Sequence, residues 1–332
     1  MAYLSLSTAN LPNPAIDPAQ GSSPEDYFDI DTYTGTGATH ERSNFTFQPD
    51  MIWGKSRSNA YNHLLIDSVR GTDKGLFPDV TNAESTNTLY LSSFDSDGYT
   101  LGPLANFNGS GSTYVMWAWK ANGSGVSNTD GTITSTVSAN TTSGFSIVSY
   151  VSNGTNTGSV GHGLDQKPDI VIQKNRDTAS DWLVLTDLID GSDDYLLLNS
   201  TAAAATAAGG ANATTFVSWD RPSGDNMICY ALHSVDGFSK IGKYVGNGST
   251  DGPFVYTGFR PAFVLVKNAS AGWNWIIWDA ERDTYNQVDG ALQPNNSDAE
   301  YDVSNYMSAD FLSNGFKIRT IDSQENGSAN TL

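Results

Sequence analysis

Apolar residues along the chain come in short runs of roughly four to seven, separated by clusters of Gly, Asn, Asp, Ser and Pro. Runs such as Phe145-Ser-Ile-Val148 and Trp275-Ile-Ile-Trp278 are rich in β-branched and aromatic residues and bounded by turn formers, so they predict strands. Asp97-Gly98 and Asn314-Gly315 stand between short alternating runs and predict tight hairpins, because these residues accept positive φ. The sole helix-favouring patch, Ala202–Ala208, ends in Gly209-Gly210 and is at most two turns, or a loop. The pattern predicts an all-β protein.

The runs repeat. Tyr33-Thr-Gly-Thr-Gly37 returns as Tyr150-Val-Ser-Asn-Gly154 and Tyr244-Val-Gly-Asn-Gly248, the last two each after a predicted Phe-Ser strand starting at Phe145 and Phe238. A proline-led strand ending in lysine follows, at Pro49–Lys55, Pro168–Lys174 and Pro261–Lys267. Then comes an apolar strand ending in Asp67, Asp187 or Asp279, which lie 12, 13 and 12 residues beyond Lys55, Lys174 and Lys267. Three copies of one unit, each about seven short strands, predict tandem antiparallel β-sandwiches of jelly-roll-like type.

The expected division is an extended N-terminal arm over 1–27, repeats over 28–120, 145–234 and 235–332, and a Gly/Ser/Thr/Asn-rich linker over 121–144 with one extra strand at Thr132–Val137. Pro12, Pro14, Pro18 and Pro24 exclude a helix or a central strand from the arm. Only Ser234–Gly237 separates copies 2 and 3, which predicts rigid stacking. Aligning Asn108–Tyr114 with Asn326–Leu332 leaves copy 3 without its final strand. That strand either lies beyond residue 332 or is donated by a neighbouring subunit, with Tyr3-Leu-Ser-Leu-Ser7 as the period-2 candidate.

Composition narrows the function classes. With 17 Lys plus Arg against 36 Asp plus Glu, the net charge of −19 argues against nucleic acid and anionic membranes as partners. No apolar run reaches the ~18 residues of a membrane-spanning helix, and the first residues lack a signal-peptide pattern, so synthesis as a soluble protein in the cytosol is expected. The single cysteine, Cys229, lies in the run Met227–Leu232 and reads as a buried small hydrophobe, with no disulfide and no cysteine metal site.

Phe145–Tyr150 with Gly161-His-Gly-Leu164 and Pro168–Asn175, together with Gly252–Lys267 and Ser93–Gly102, resembles a repeat of tail-fibre and other virion proteins of marine bacteriophages. The resemblance covers about residues 28–332 and brings no catalytic motif. It implies a virion structural component made in the host cytoplasm, a tail-fibre or spike subunit contributing to host attachment. The implied assembly is a homo-oligomer, a trimer above all, meeting other virion proteins through residues 1–27 and a host surface glycan or protein. A capsid decoration or head-fibre protein without host contact, and more remotely a polysaccharide depolymerase, are the other readings.

Candidate chemistry is sparse, and no cofactor is implied. His40, His63, His162 and His233 form no ligand pair, and His162 between two glycines reads as a surface turn residue. Asp95/Asp97 and Asp190/Asp193/Asp194 lack a full calcium loop and read as turn residues. The acidic excess would suit a two-carboxylate glycosidase, but Lys55/Asp67, Lys174/Asp187 and Lys267/Asp279 recur in every copy and read as structural cross-strand pairs. Trp273 and Trp275 are the candidates for surface recognition, Trp273 because it follows the Gly272 turn.

Overall fold

A computed structural model describes Ile16 and residues 21–219, 221–302 and 307–332. The candidate strand Tyr3–Ser7 and most of the arm lie outside the described residues. The chain is an all-β protein of antiparallel sheets. In copy 1, Phe28–Thr34, Thr113–Trp119, Met51–Ser56 and Leu64–Asp67 lie side by side in that order. This sheet encloses a core with a smaller one, His40–Arg42, Gly98–Leu101 and Leu91–Asp95, through Tyr33, Ile52, Met116, Tyr99 and Leu101.

Copy 2 fills the same four places with Phe145–Val151, Asn226–Leu232, Ile170–Asn175 and Leu183–Thr186. Ser135–Asn140 and Val126–Asn128 extend one edge and Asp194–Leu197 and Ala205–Thr206 the other, giving eight strands. The expected linker therefore contributes two strands to the sheet where one was expected, and the expected helix patch contributes a short edge strand instead. The arm's one described element is a single 3₁₀ turn at Pro24–Asp26, tolerated because proline is compatible with the first helical position.

In copy 3, Phe263–Lys267 pairs with Trp275–Asp279, and Phe254–Tyr256, Gly315–Ile318 and Ala309–Leu312 form the second sheet. Tyr244 and Leu332 exchange backbone hydrogen bonds of 2.9 and 3.0 Å, in the place where Tyr33 opposes Tyr114. The predicted strand at Phe238–Ile241 does not form. Its counterparts Phe28–Thr34 and Phe145–Val151 are held by the ladder to the closing strand; without that ladder a lone strand leaves its backbone groups unpaired.

The copies share a core. Val115 and Trp117 of copy 1, Ile228 and Tyr230 of copy 2, and Trp275 and Ile277 of copy 3 belong to one buried cluster, joined by Trp53, Trp182, Leu76, Leu196 and Leu292. Alternate residues of the closing strands, Tyr114, Met116 and Ala118 or Met227, Cys229 and Ala231, point into the separate sandwich cores. Strands buried on both faces read as continuous apolar runs, which is how Tyr114–Trp119 and Met227–Leu232 read.

Candidate functional site

The recurring residues converge on the joints between copies. At each joint a backbone N–H of one copy meets a carbonyl of another: Glu84 to Arg176, Ala204 to Ala269 and Glu300 to Arg57, at 2.7, 2.8 and 2.8 Å. These bonds link copy 1 to 2, copy 2 to 3 and copy 3 back to 1. The copies therefore close a ring around the common core.

Each repeated lysine belongs to a joint. Lys55, Lys174 and Lys267 are buried and donate across it to the carbonyls of Ser297, Thr81 and Thr201, at 3.2, 2.8 and 3.1 Å. Within their own copies they donate to the Ser56, Ser180 and Asn268 carbonyls. Burial pulls all three ammonium groups down to about 8. None bonds its sequence-paired aspartate, so the expected cross-strand pair is replaced by a lysine–carbonyl clamp. A strand-end lysine followed at fixed distance by an aspartate signals a joint, with each residue serving a different neighbour.

Asp67 and Asp279 are fully buried and pair with Arg70 and Arg282, each at 2.6 Å. Each also accepts from the closing strand of another copy, Asp67 from the Tyr230 hydroxyl at 2.6 Å and Asp279 from Trp117 Nε1 at 3.0 Å. Asp187 departs from this scheme. Met51 opposes Asp67 and Phe263 opposes Asp279, whereas the register Val171↔Leu185 gives the equivalent place in copy 2 to Thr186. The one-residue excess in its spacing turns Asp187 toward Lys167.

Two joints carry a further ionic knot. Glu84 binds Arg176 through both carboxylate oxygens, at 2.8 and 2.9 Å, and Arg70 at 3.0 Å. Glu300 likewise binds Arg57 through both oxygens at 2.8 Å and Arg282 at 3.1 Å. Burial alone would raise both carboxyls, but the facing guanidinium groups outweigh it and hold them below the usual range. At the joint of copies 2 and 3 the equivalent residues are Thr186, Ile189, Ala204 and Ala269, so the whole knot is replaced together by uncharged side chains.

A ring N–H completes each joint. Trp182 Nε1 donates to the Phe77 carbonyl and Trp275 Nε1 to the Leu197 carbonyl, both at 2.9 Å. His63 takes the third place: its Nδ1 accepts from Trp53 Nε1 at 3.0 Å, and its Nε2 lies 3.1 Å from the Gln293 carbonyl, which fits a neutral ring protonated on Nε2. Burial lowers its pKa well below the usual imidazole value. His162, expected on the surface, is fully buried, accepts from the Leu164 N–H and lies against the Asn212 carbonyl.

The two tryptophan candidates separate. Trp275 is 5% exposed and is a joint residue, whereas Trp273 is 40% exposed on the loop that meets Thr201 of copy 2. Tyr256, Tyr285 and Phe254 are further exposed aromatics of copy 3, which sequence patterning alone did not single out. Among the described residues no helix is long and apolar enough to cross a membrane, and no group of three His, Cys, Asp or Glu is placed to hold a metal ion.

No curated protein and no solved structure matches the chain. A family model matches residues 23–332, which takes in all three copies, and the chain accordingly belongs to the family described as domain of unknown function DUF7483.

Proposed function

We propose that the protein is a structural component of a bacteriophage particle, a tail-fibre or spike subunit that contributes to host attachment and has no enzymatic role. The observation carrying this reading is the closed ring of three copies on one core. The recurring lysines, Asp67 and Asp279, and the glutamates of two joints are all engaged in holding that ring. A body so cross-linked suits a load-bearing particle part, and its exposed aromatics, Tyr285, Tyr256, Phe254 and Trp273, suit contact with a glycan or protein.

The test combines particle imaging with competition. Antibody-labelled electron microscopy of the particle should place the subunit on a fibre or spike, and purified protein should compete with phage adsorption. Trp273→Ala should weaken that competition at least about five-fold with unchanged thermal stability, since the side chain is a surface anchor. A position on the capsid surface without competition would favour a decoration protein. Three similar copies in a ring fit that second reading too, because such a body matches a local threefold position of a shell. Sedimentation of the free protein tests the proposed homotrimer.

A further inference from the structure

The second sheet of copy 3 turns one face to its core and the other outward. Val255, Phe316, Ile318, Ala309 and Phe311 pack into the core. The alternate residues Phe254, Tyr256, Gly315, Lys317, Asp310 and Leu312 therefore form the outer face. Phe254 and Tyr256, two residues apart on an edge strand, are 44% and 66% exposed. Tyr285, 84% exposed, stands beside the opposite edge, where the side chain of its neighbour Asn286 exchanges hydrogen bonds of 2.9 and 3.0 Å with the Phe311 backbone.

The other copies show that the fold does not require aromatics on this face. The row Val255, Phe316 and Phe311 corresponds to Arg42, Tyr99 and Phe94 in copy 1. Phe254, Lys317 and Asp310 therefore stand where copy 1 has Glu41, Thr100 and Ser93, and Tyr256 and Leu312 where it has Ser43 and Asp95. In copy 2 the strands carrying the core residues Val160 and Phe216 bear Ser159, Gly161, Thr215 and Val217 in these places. An aromatic pair on one of three equivalent faces is not accounted for by packing of the sandwich. The charges beside it are matched: Lys317 Nζ lies 2.7 Å from Asp251 and donates to the Gly252 carbonyl, and Arg319 Nε lies 2.6 Å from Asp310. Two cations and two carboxylates cancel, on a chain whose net charge is −19. The face thus selects neither a polyanion nor a basic segment, and it offers adjacent donors and acceptors next to apolar rings. Three strands ~4.8 Å apart and four residues at ~3.3 Å each give it a footprint on the order of 100 Å², far below the ~800 Å² per partner of a stable protein interface.

We propose that this face binds a short stretch of a neutral carbohydrate chain, its sugar rings stacked on Phe254 and Tyr256 and its hydroxyls bonded by the Lys317–Asp251 and Arg319–Asp310 pairs. A pyranose ring has an apolar C–H face and a rim of hydroxyls that donate and accept, so it matches aromatic rings and paired charges together. Phe254 reaches over Gly315, where a Cβ would lie 2.9 Å from its ring, and the glycine thereby lets the ring rest against the sheet. The site rests on the attachment reading above for the origin of the sugar, a host-surface glycan, and on the face itself for its chemistry.

Saturation-transfer NMR titration of the full chain with trisaccharides tests this. The probes are maltotriose, cellotriose, mannotriose and triacetylchitotriose, with trigalacturonate as the acidic comparison. At least one neutral probe should bind with a Kd of about 1 mM or tighter, and trigalacturonate more weakly, since the whole chain repels it. The double variant Phe254→Glu, Tyr256→Ser, which installs the copy 1 residues, should weaken that binding at least about ten-fold with the melting temperature lowered by less than about 3 °C. Tyr256→Phe keeps the ring and should stay within about two-fold. Lys317→Met should weaken binding about three-fold or more, which keeps a readout if the double variant does not fold. Val126→Ser, on an exposed edge strand of copy 2, should change nothing. No saturable binding of any neutral probe to about 10 mM, unchanged affinity in the double variant, or tighter binding of trigalacturonate would each overturn the proposal. So would a larger fall in melting temperature, which marks the pair as packing residues. A double variant that loses the sugar but still competes with phage adsorption would overturn the host-glycan assignment, whereas sugar binding by a protein that never competes would remove the attachment reading alone.

Discussion

Gly98 and Gly315 each open the second strand of a hairpin whose turn residues are Ser96-Asp97 and Ser313-Asn314. The Asp-Gly and Asn-Gly signals located both hairpins, but the glycines do a different job from the one expected. A Cβ on Gly98 would lie 1.8 Å from the Arg42 carbonyl oxygen, and one on Gly315 would lie 2.1 Å from that of Val255. Gly98→Ala should cost about 3 kcal/mol in urea unfolding, and Gly111→Ala, at positive φ with open space around it, about 1 kcal/mol. Equal costs would contradict the close-approach account. The joint lysines give a pH signature. Their folded value of about 8 lies below the ordinary 10.5, so between those values the unfolded chain binds more protons and stability rises with pH. From pH 7.5 to 9 the free energy of urea unfolding should rise, by on the order of 1 kcal/mol per lysine; a fall would exclude the effect.

Joints and closing strands are the elements on which the architecture turns. Sequence spacing exposed the closing strands, because burial on both faces leaves an unbroken apolar run. It did not reveal what their side chains meet, since Tyr230 and Asp67 are 163 residues apart. The Glu84–Arg176 bond is bidentate and shielded, so a double-mutant cycle of Glu84→Gln with Arg176→Met should give a coupling of about 2 kcal/mol by urea unfolding. A coupling below about 0.5 kcal/mol would mark it as an ordinary surface pair. Glu84 and Glu300 are held below the ordinary 4.5 in the folded state. Their stabilisation is present above pH 4.5 and is lost as pH falls through the folded values.

At the scale of the whole molecule, the common core makes the three copies one cooperative unit. Trp182 is 0% exposed in that core and donates to copy 1. Trp182→Ala should cost about 3–5 kcal/mol, and hydrogen exchange should accelerate in all three copies together. Protection retained in copies 1 and 3 would show that they fold as separate beads. The ring also changes the meaning of the repeat. A tandem array predicts neighbour contacts only, whereas the Glu300–Arg57 joint brings the third copy back to the first.

The sequence by itself determined most of the strands, their grouping into three copies and the residues that recur, because burial and turn chemistry act over a few neighbours and leave a local pattern. It also placed Thr331-Leu332 at the start of a closing strand, as their pairing with Ala269 and Tyr244 bears out. Only the tertiary structure decided that the lysines clamp neighbouring copies, that Trp275 is buried while Trp273 is exposed, and that Asp187 is out of register. Those outcomes depend on which copy faces which. That is set by ring closure over a hundred residues and more, and a one-residue change in spacing gives no local sign of it.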